Sequence, residues 1–145
     1  MRTILLTFAI LASILGTAGN VTSAPNIIVF RGDSYAAIAF SEKTGRYGYT
    51  YDQATRDIAE TLARRRCKDS DPKVDDAKAV GWVHNGWVAF ARGDNGAWGV
   101  GYSYGNGATN REAKENALAE CQKRGKNARL VICVCSIDRK PEVFE

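Results

Sequence analysis

The chain has 145 residues, with 20 Lys and Arg against 16 Asp and Glu and a formal net charge of +4. Its mean hydropathy is −0.28. That length suits one domain with a modest core rather than two independent ones, and the charge balance is too slight to mark a nucleic-acid binder.

In chain order, MRTILLTFAILASILGTAGNVTSAPN places one arginine before an uncharged apolar run from Ile4 to Leu15, followed by small residues. This is the layout of a cleaved secretory signal, and the run is too short to span a bilayer comfortably. Cleavage after Ala18, with Gly16 in the third place before the cut, gives a signal over residues 1–18. A cut as late as Ala24 is disfavoured by Pro25 immediately after it. No cysteine follows the apolar run, so no lipoprotein signal is read, and no later run is long enough for a membrane span. Removing Arg2 from the 20 basic residues leaves 19 against 16 acidic ones in the mature chain, which is expected to be secreted or periplasmic.

Residues 19–34 form an N-terminal extension and residues 35–136 a single domain that repeats itself. YAAIAFSEKTGRYGYTY, from Tyr35 to Tyr51, runs in step with WVAFARGDNGAWGVGY, from Trp87 to Tyr102, after one gap near Thr44. Each is followed by a helix-like run, ATRDIAETLARRRC (Ala54 to Cys67) and ATNREAKENALAEC (Ala108 to Cys121), which coincide at Ala59/Ala113, Ala63/Ala117 and Cys67/Cys121. Each then leads into a strand-like run, AVGWV (Ala79 to Val83) and RLVICVC (Arg129 to Cys135). Internal duplication organises the chain, as repeat 1 over 35–86 and repeat 2 over 87–136, with a tail over 137–145.

Within each copy the order is hairpin, helix, strand. The first hairpin turns near Lys43-Thr44-Gly45 and the second at Asp94-Asn95-Gly96, where Asn-Gly takes the positive φ that tight turns require. Thr109 with Glu112 fits a capping box, and Thr55 is the equivalent cap, with Asp57 well placed against the helix dipole. Ile58, Ala59, Leu62, Ala63 and Cys67 form one helix face, and Ala113, Ala117, Leu118 and Cys121 the other. Small residues there let a helix lie close on a sheet. The expected fold is α+β: two fused ββαβ repeats, one antiparallel sheet of about six strands, two helices packed on it, and disulfides stapling it.

GVGYSYG, from Gly99 to Gly105, invites comparison with a phosphate-binding glycine loop. A dinucleotide fingerprint needs glycines at one, three and six between a strand and a helix of a parallel unit. Here the third glycine is out of place, and Trp98, Val100 and Tyr102 alternate with Gly99 and Gly101 as in a strand. Copy one repeats the pattern as Tyr47, Tyr49 and Tyr51 around Gly48 and Thr50. These glycines are therefore read as backbone geometry.

The combination AIAFSEKTGRYGYTY, a helix ending in cysteine, GWVHNGWVAFARGDNGAWGVGYSY and a second helix ending in cysteine resembles domain-of-unknown-function family 4189. The resemblance runs from about Tyr35 to Ser136. It implies a small exported bacterial protein with two such copies and disulfides, and it brings no agreed activity and no catalytic residues. The chain departs from the usual pattern at Trp87, where many members place a cysteine after Asn-Gly, and in having no cysteine before the third strand of copy one.

Side chains alternate along a strand, so Tyr47, Tyr49 and Tyr51, and Trp98 and Tyr102, project from one side of theirs. On an open face such rings hold sugars, a peptide or unpaired bases; on a covered face they are core, the reading favoured for so small a domain. Cys67, Cys121, Cys133 and Cys135 are even in number and all follow the leader, which favours two disulfides among three connectivities, with Cys133 and Cys135 reaching the helix-end cysteines. His84, the one histidine, would suit a general base, but no nucleophile signature accompanies it.

Asp69, Asp71, Asp75 and Asp76 lie in a loop containing Pro72 and lacking the glycine and terminal glutamate of a calcium hand, so a solvated connection is expected and no metal site. Arg64, Arg65, Arg66, Lys123 and Arg124 sit at helix ends, where positive charge suits the dipole. Arg-Gly-Asp occurs at 31–33 and 92–94, in non-equivalent places, and is read as coincidence.

The expectation is an exported, non-enzymatic binding or interaction module. It needs no cofactor, and its partner is an envelope or extracellular protein or a glycan, not nucleic acid. The alternative is a secreted enzyme or toxic effector acting on cell-wall or host material.

Overall fold

The computed structural model describes residues 32–137 and 140–144. The leader expected over 1–18, both candidate cleavage points and most of the extension lie outside the described residues. The elements are β1 (Tyr35–Phe40), β2 (Tyr47–Gln53), α1 (Arg56–Asp69), β3 (Lys78–His84), β4 (Gly86–Arg92), β5 (Trp98–Tyr104), α2 (Asn110–Gln122), β6 (Arg129–Cys135) and β7 (Glu142–Val143).

Both halves are ββαβ units whose first strand lies in the middle: the orders are β2-β1-β3 and β5-β4-β6-β7, antiparallel throughout. The expected single sheet of about six strands is thus corrected to two sheets, of three and four strands. The reason lies in β1 and β4, which are buried on both faces. Toward the helices they turn Ala37 and Ala39, or Ala89 and Ala91; on the opposite face they turn Ala36, Ile38 and Phe40, or Val88 and Phe90. A single sheet with helices on one face would leave the larger set in water. Stacking the two sheets buries it, with the Phe40 and Phe90 ring centroids 4.9 Å apart. The layers run α1, first sheet, second sheet, α2.

The helices start where their caps predict. Thr55 Oγ1 accepts from Ile58 N at 3.3 Å and Thr109 Oγ1 from Glu112 N at 3.2 Å. The reciprocal half of the capping box is rerouted: Thr109 N donates to Ser103 Oγ at 3.0 Å, and that hydroxyl donates to the Glu112 carboxylate at 2.5 Å. A buried serine of β5 thus ties α2 to its sheet. The second hairpin turns with Asn95 at φ 57° and Gly96 at φ 75°, as Asn-Gly suggests.

Each helix buries one residue per turn, Ala59, Ala63 and Cys67 or Ala113, Ala117 and Cys121, while Ile58, assigned to the buried face, is exposed. The stripe is narrow because the helices lie almost backbone to backbone on the sheets. A methyl group at Gly99 would come within 2.3 Å of the Cys121 nitrogen, and one at Gly101 within 2.1 Å of the Ala113 oxygen. Gly48 meets α1 in the same way, 2.3 Å from the Cys67 nitrogen. Thr50 stands opposite Ala37 as Gly101 stands opposite Ala89, so the two halves differ here; the Thr50 hydroxyl is buried without a hydrogen-bond partner.

One residue, Asn85 at φ 47°, carries the chain from the first sheet to the second. Asn85 N donates to Ser34 O at 2.9 Å and its side chain accepts from Ser34 N at 3.0 Å. At the corresponding ends of the second unit, Ser136 N donates to Gly86 O at 2.9 Å and the Ser136 hydroxyl accepts from Gly86 N at 3.1 Å. The duplication is therefore reproduced in hydrogen bonds as well as in strand order.

The expected disulfide staples are also corrected: none of the four cysteines is disulfide-bonded, and all four are buried. Cys67 lies between α1 and the first sheet, whereas Cys121, Cys133 and Cys135 lie between α2 and the second. Two sheets separate Cys67 from the others, which rules out a staple linking one helix end to β6 of the other unit.

Replacing Gly101 by Ala should cost about 1–3 kcal/mol or more, since the atoms it meets are backbone and cannot step aside. Thr50→Val, which exchanges an unsatisfied hydroxyl for a methyl, should stay within about 1 kcal/mol of the parent. Urea denaturation checks both; a Gly101→Ala protein as stable as the parent would contradict the close packing.

Candidate functional site: an aromatic groove beside β5

The five ring residues singled out from sequence all turn toward the space between the sheets, but they do not gather in one place. Tyr47, Tyr49 and Tyr51 pack, partly buried, against the inter-sheet core from β2, which lies over β6. Trp98 and Tyr102 pack from β5, which lies over β3. At the β3–β5 side the core opens into a groove of about 570 Å³. Trp98, Val100, Tyr102 and Tyr104 form its β5 wall, Val80 comes from β3, and Asn116, Glu120, Lys123 and Arg124 come from α2.

Local packing shapes this groove. Gly81 of β3 leaves room for Val100 and for the Tyr102 hydroxyl, which a methyl there would meet at 2.6 and 3.2 Å. Tyr104, 61% exposed, stacks on Tyr102 with centroids 5.7 Å apart and an interplanar angle of 15°. Burial pushes both phenols above their ordinary pKa; for Tyr102 the Tyr104 phenol adds to this and Arg56 opposes it. Both rings are therefore neutral hydrogen-bonding groups near neutral pH. Tyr104 was missed from sequence because it falls one step beyond the aligned rows, although its place two residues after Tyr102 puts it on the same face.

The basic residues at the helix ends do more than meet the helix dipole. Arg124 lies 4.7 Å from the Trp98 ring centroid and donates to Trp98 O at 3.2 Å, while Asn116 donates to Tyr102 O at 3.1 Å. In the other unit Arg66 donates to Tyr49 O at 2.7 Å. These side chains occupy carbonyls on the edge strands β5 and β2, which blunts both edges against pairing with another chain. Lys123 is paired with Glu120 at 2.5 Å, and that bond holds the Glu120 carboxyl below its ordinary pKa.

His84 sits apart, at the end of β3. Its Nε2 lies 2.8 Å from Asp33 Oδ1, and its ring stacks on Tyr35 at 4.6 Å. Arg56 covers the neighbouring Trp82 at 4.3 Å. Among the described residues, no group of three His, Cys, Asp or Glu side chains could hold a metal ion, and no helix is long and apolar enough to cross a membrane.

The aspartate loop is a connection with one structural task. Asp76 accepts from the Ser41 hydroxyl and from Lys43 N, the latter at 3.2 Å, which ties the loop to the first hairpin; Asp75 pairs with Lys43 at 3.0 Å and Asp71 with Arg46 at 3.4 Å. Asp69 instead pairs with Arg65 along α1 at 3.6 Å.

A family model, Domain of unknown function (DUF4189), matches residues 35–135. The chain belongs to this family. The resemblance drawn from the repeated motif is thereby confirmed, and the match spans β1 to β6. No curated protein matches the chain. Among solved structures, the chain is similar to Rv1813c from Mycobacterium tuberculosis, determined by NMR, with 21% identity and a TM-score of 0.48, over 92% of this chain and 99% of that one.

The hydrogen bond from Ser41, outweighing some burial and helped by Lys43 N, lowers the Asp76 pKa in the fold. A lowered carboxyl pKa stabilises the fold above the unfolded value, and that contribution is lost as pH falls through the folded value. Urea titrations should therefore show the parent losing more stability than Asp76→Asn between neutral pH and about pH 3. Identical pH profiles would refute this role.

Proposed function

We propose that the chain is an exported binding module that holds a segment of an envelope or extracellular protein, or of a glycan, in the groove beside β5, without chemistry of its own. One observation carries this reading: aromatic rings from β5 leave the core at an open groove whose opposite wall, on α2, is polar and charged. Apolar bodies with polar tips are the make-up of binding sites that must both grip and orient. Arg124 covers one face of Trp98, so Tyr104 supplies the accessible stacking surface.

Export rests on the leader-like segment at the N-terminus. Binding is favoured over catalysis because His84, with its partner Asp33, lies outside the residues that line the groove, and because the four thiols that could act as nucleophiles are buried.

The test is an NMR titration of the ¹⁵N-labelled mature chain with muropeptides and, separately, with peptides released from envelope proteins. One of the two should shift the Trp98 indole N–H and the Gly101 amide together. Tyr104→Ala and Arg124→Ala should each weaken that binding by about tenfold, as central aromatic and arginine contacts do. Shifts that map away from the groove, or variants that bind as the parent does, would defeat the proposal.

A further inference from the structure

The strand β7 is only two residues long, yet it closes the layer beneath α2. It is the outer strand beside β6, and Glu142 stands opposite Cys133 in the register, so both side chains lie on the face that α2 covers. The Glu142 carboxylate accepts from Asn110 Nδ2 at 2.6 Å and pairs with Lys114, both on α2. Lys114 in turn lies 5.0 Å from the Phe144 ring centroid, and Phe144 N donates to Val131 O at 3.0 Å. Val143 and Phe144 are themselves exposed. The strap is therefore held by one carboxylate and a few backbone bonds, with little apolar anchorage.

Beneath it lies a concentration of sulfur. Cys133 is fully buried, its Sγ 4.0 Å from the Asn110 carbonyl oxygen, and Cys135 and Cys121 belong to the same apolar cluster. Trp87, 3% exposed and opposite Cys135 in the β4–β6 register, adds an indole N–H that is buried in this layer without an acceptor. An unsatisfied donor is costly in a layer that is otherwise apolar. The groups around Cys133 are Asn110 and Lys114 from α2, Glu142 from β7 and Cys135 along its own strand. Burial first, and then the Glu142 charge, push its thiol up to about 12, so the closed form is inert near neutral pH.

We infer that β7 is a releasable strap over a thiol-modification site, and that lifting it lets Cys133 react with small soft electrophiles. Without β7 the outer strand is β6, and Cys133 faces the gap between β6 and α2. In that open form the thiol gives its proton to water, and the sulfur lone pair adds across the activated double bond of the electrophile. The neighbouring carbon then takes up a proton, with no oxidant or reductant needed.

The experiment is N-ethylmaleimide labelling of the mature chain under native conditions, with the rate at each cysteine read by peptide mass spectrometry. In Glu142→Gln, Cys133 should label at least about tenfold faster than in the parent, as expected for losing an ion pair and weakening a hydrogen bond to a half-buried carboxylate. Cys67, buried under α1 where no strap lies, should label at the parent's rate. Phe144→Pro, which removes the N–H donated to Val131 without touching the carboxylate, should also accelerate Cys133 alone. Equal acceleration at Cys133 and Cys67 would report global unfolding and overturn the strap, as would a Cys133 rate that rises only in Glu142→Gln, where loss of the neighbouring charge alone eases thiol ionisation, or that rises in neither variant.

Discussion

Everything in this fold follows from the backbone contact between each helix and its sheet. At Gly48, Gly99 and Gly101 there is no room for even a methyl group before it meets helix backbone. The helix answers with alanine and cysteine, so only one residue per turn is fully buried against the sheet. That interface admits mainly small side chains. The larger side chains of the central strands must then find cover on the opposite face, and the second copy supplies it. Duplication is thus a physical requirement as well as a pattern: one ββαβ unit alone would leave Ile38, Phe40 and the tyrosine row in water.

Stacking two such units has consequences at the edges. The strands β2 and β5 end their sheets, and Arg66, Arg124 and Asn116 reach from the helices to occupy their carbonyls. On the β2 side, β6 lies beneath, and Tyr47, Tyr49 and Tyr51 are half-buried against the core. On the β5 side, β3 lies beneath, and Trp98 and Tyr102, half-buried in the same way, border the groove. Equivalent aromatic rows in the two copies are therefore covered to a similar degree and differ in which strand of the other sheet lies opposite.

The copies also differ in the layer between sheet and helix. Where the first has Tyr35, Trp82 and His84, with Arg56 laid over the indole, the second has Trp87, Cys133 and Cys135 at the corresponding register positions. The first arrangement is partly open to water at His84. The second is apolar, rich in sulfur and shut by β7. Two halves with one architecture thus present two chemistries, which a comparison of strand order alone would miss.

Much of this was readable in the chain itself. The repeat was legible by setting the two halves side by side, while the order of elements in each copy, the caps at Thr55 and Thr109 and the Asn-Gly turn rest on local rules, because neighbours within about a turn decide them. The family, too, was legible from the motif. What the sequence could not convey was how the copies meet. Alternation in YAAIAF and WVAFA says that both faces are buried, not what buries each, so a single sheet and a sandwich of two read alike. The cysteine count likewise suggested pairing, but whether sulfurs meet depends on which layer each occupies, and two sheets stand between Cys67 and the rest. The groove and the strap belong to the same class: each is made by residues far apart in the chain, and only the stacking of the sheets brings them together.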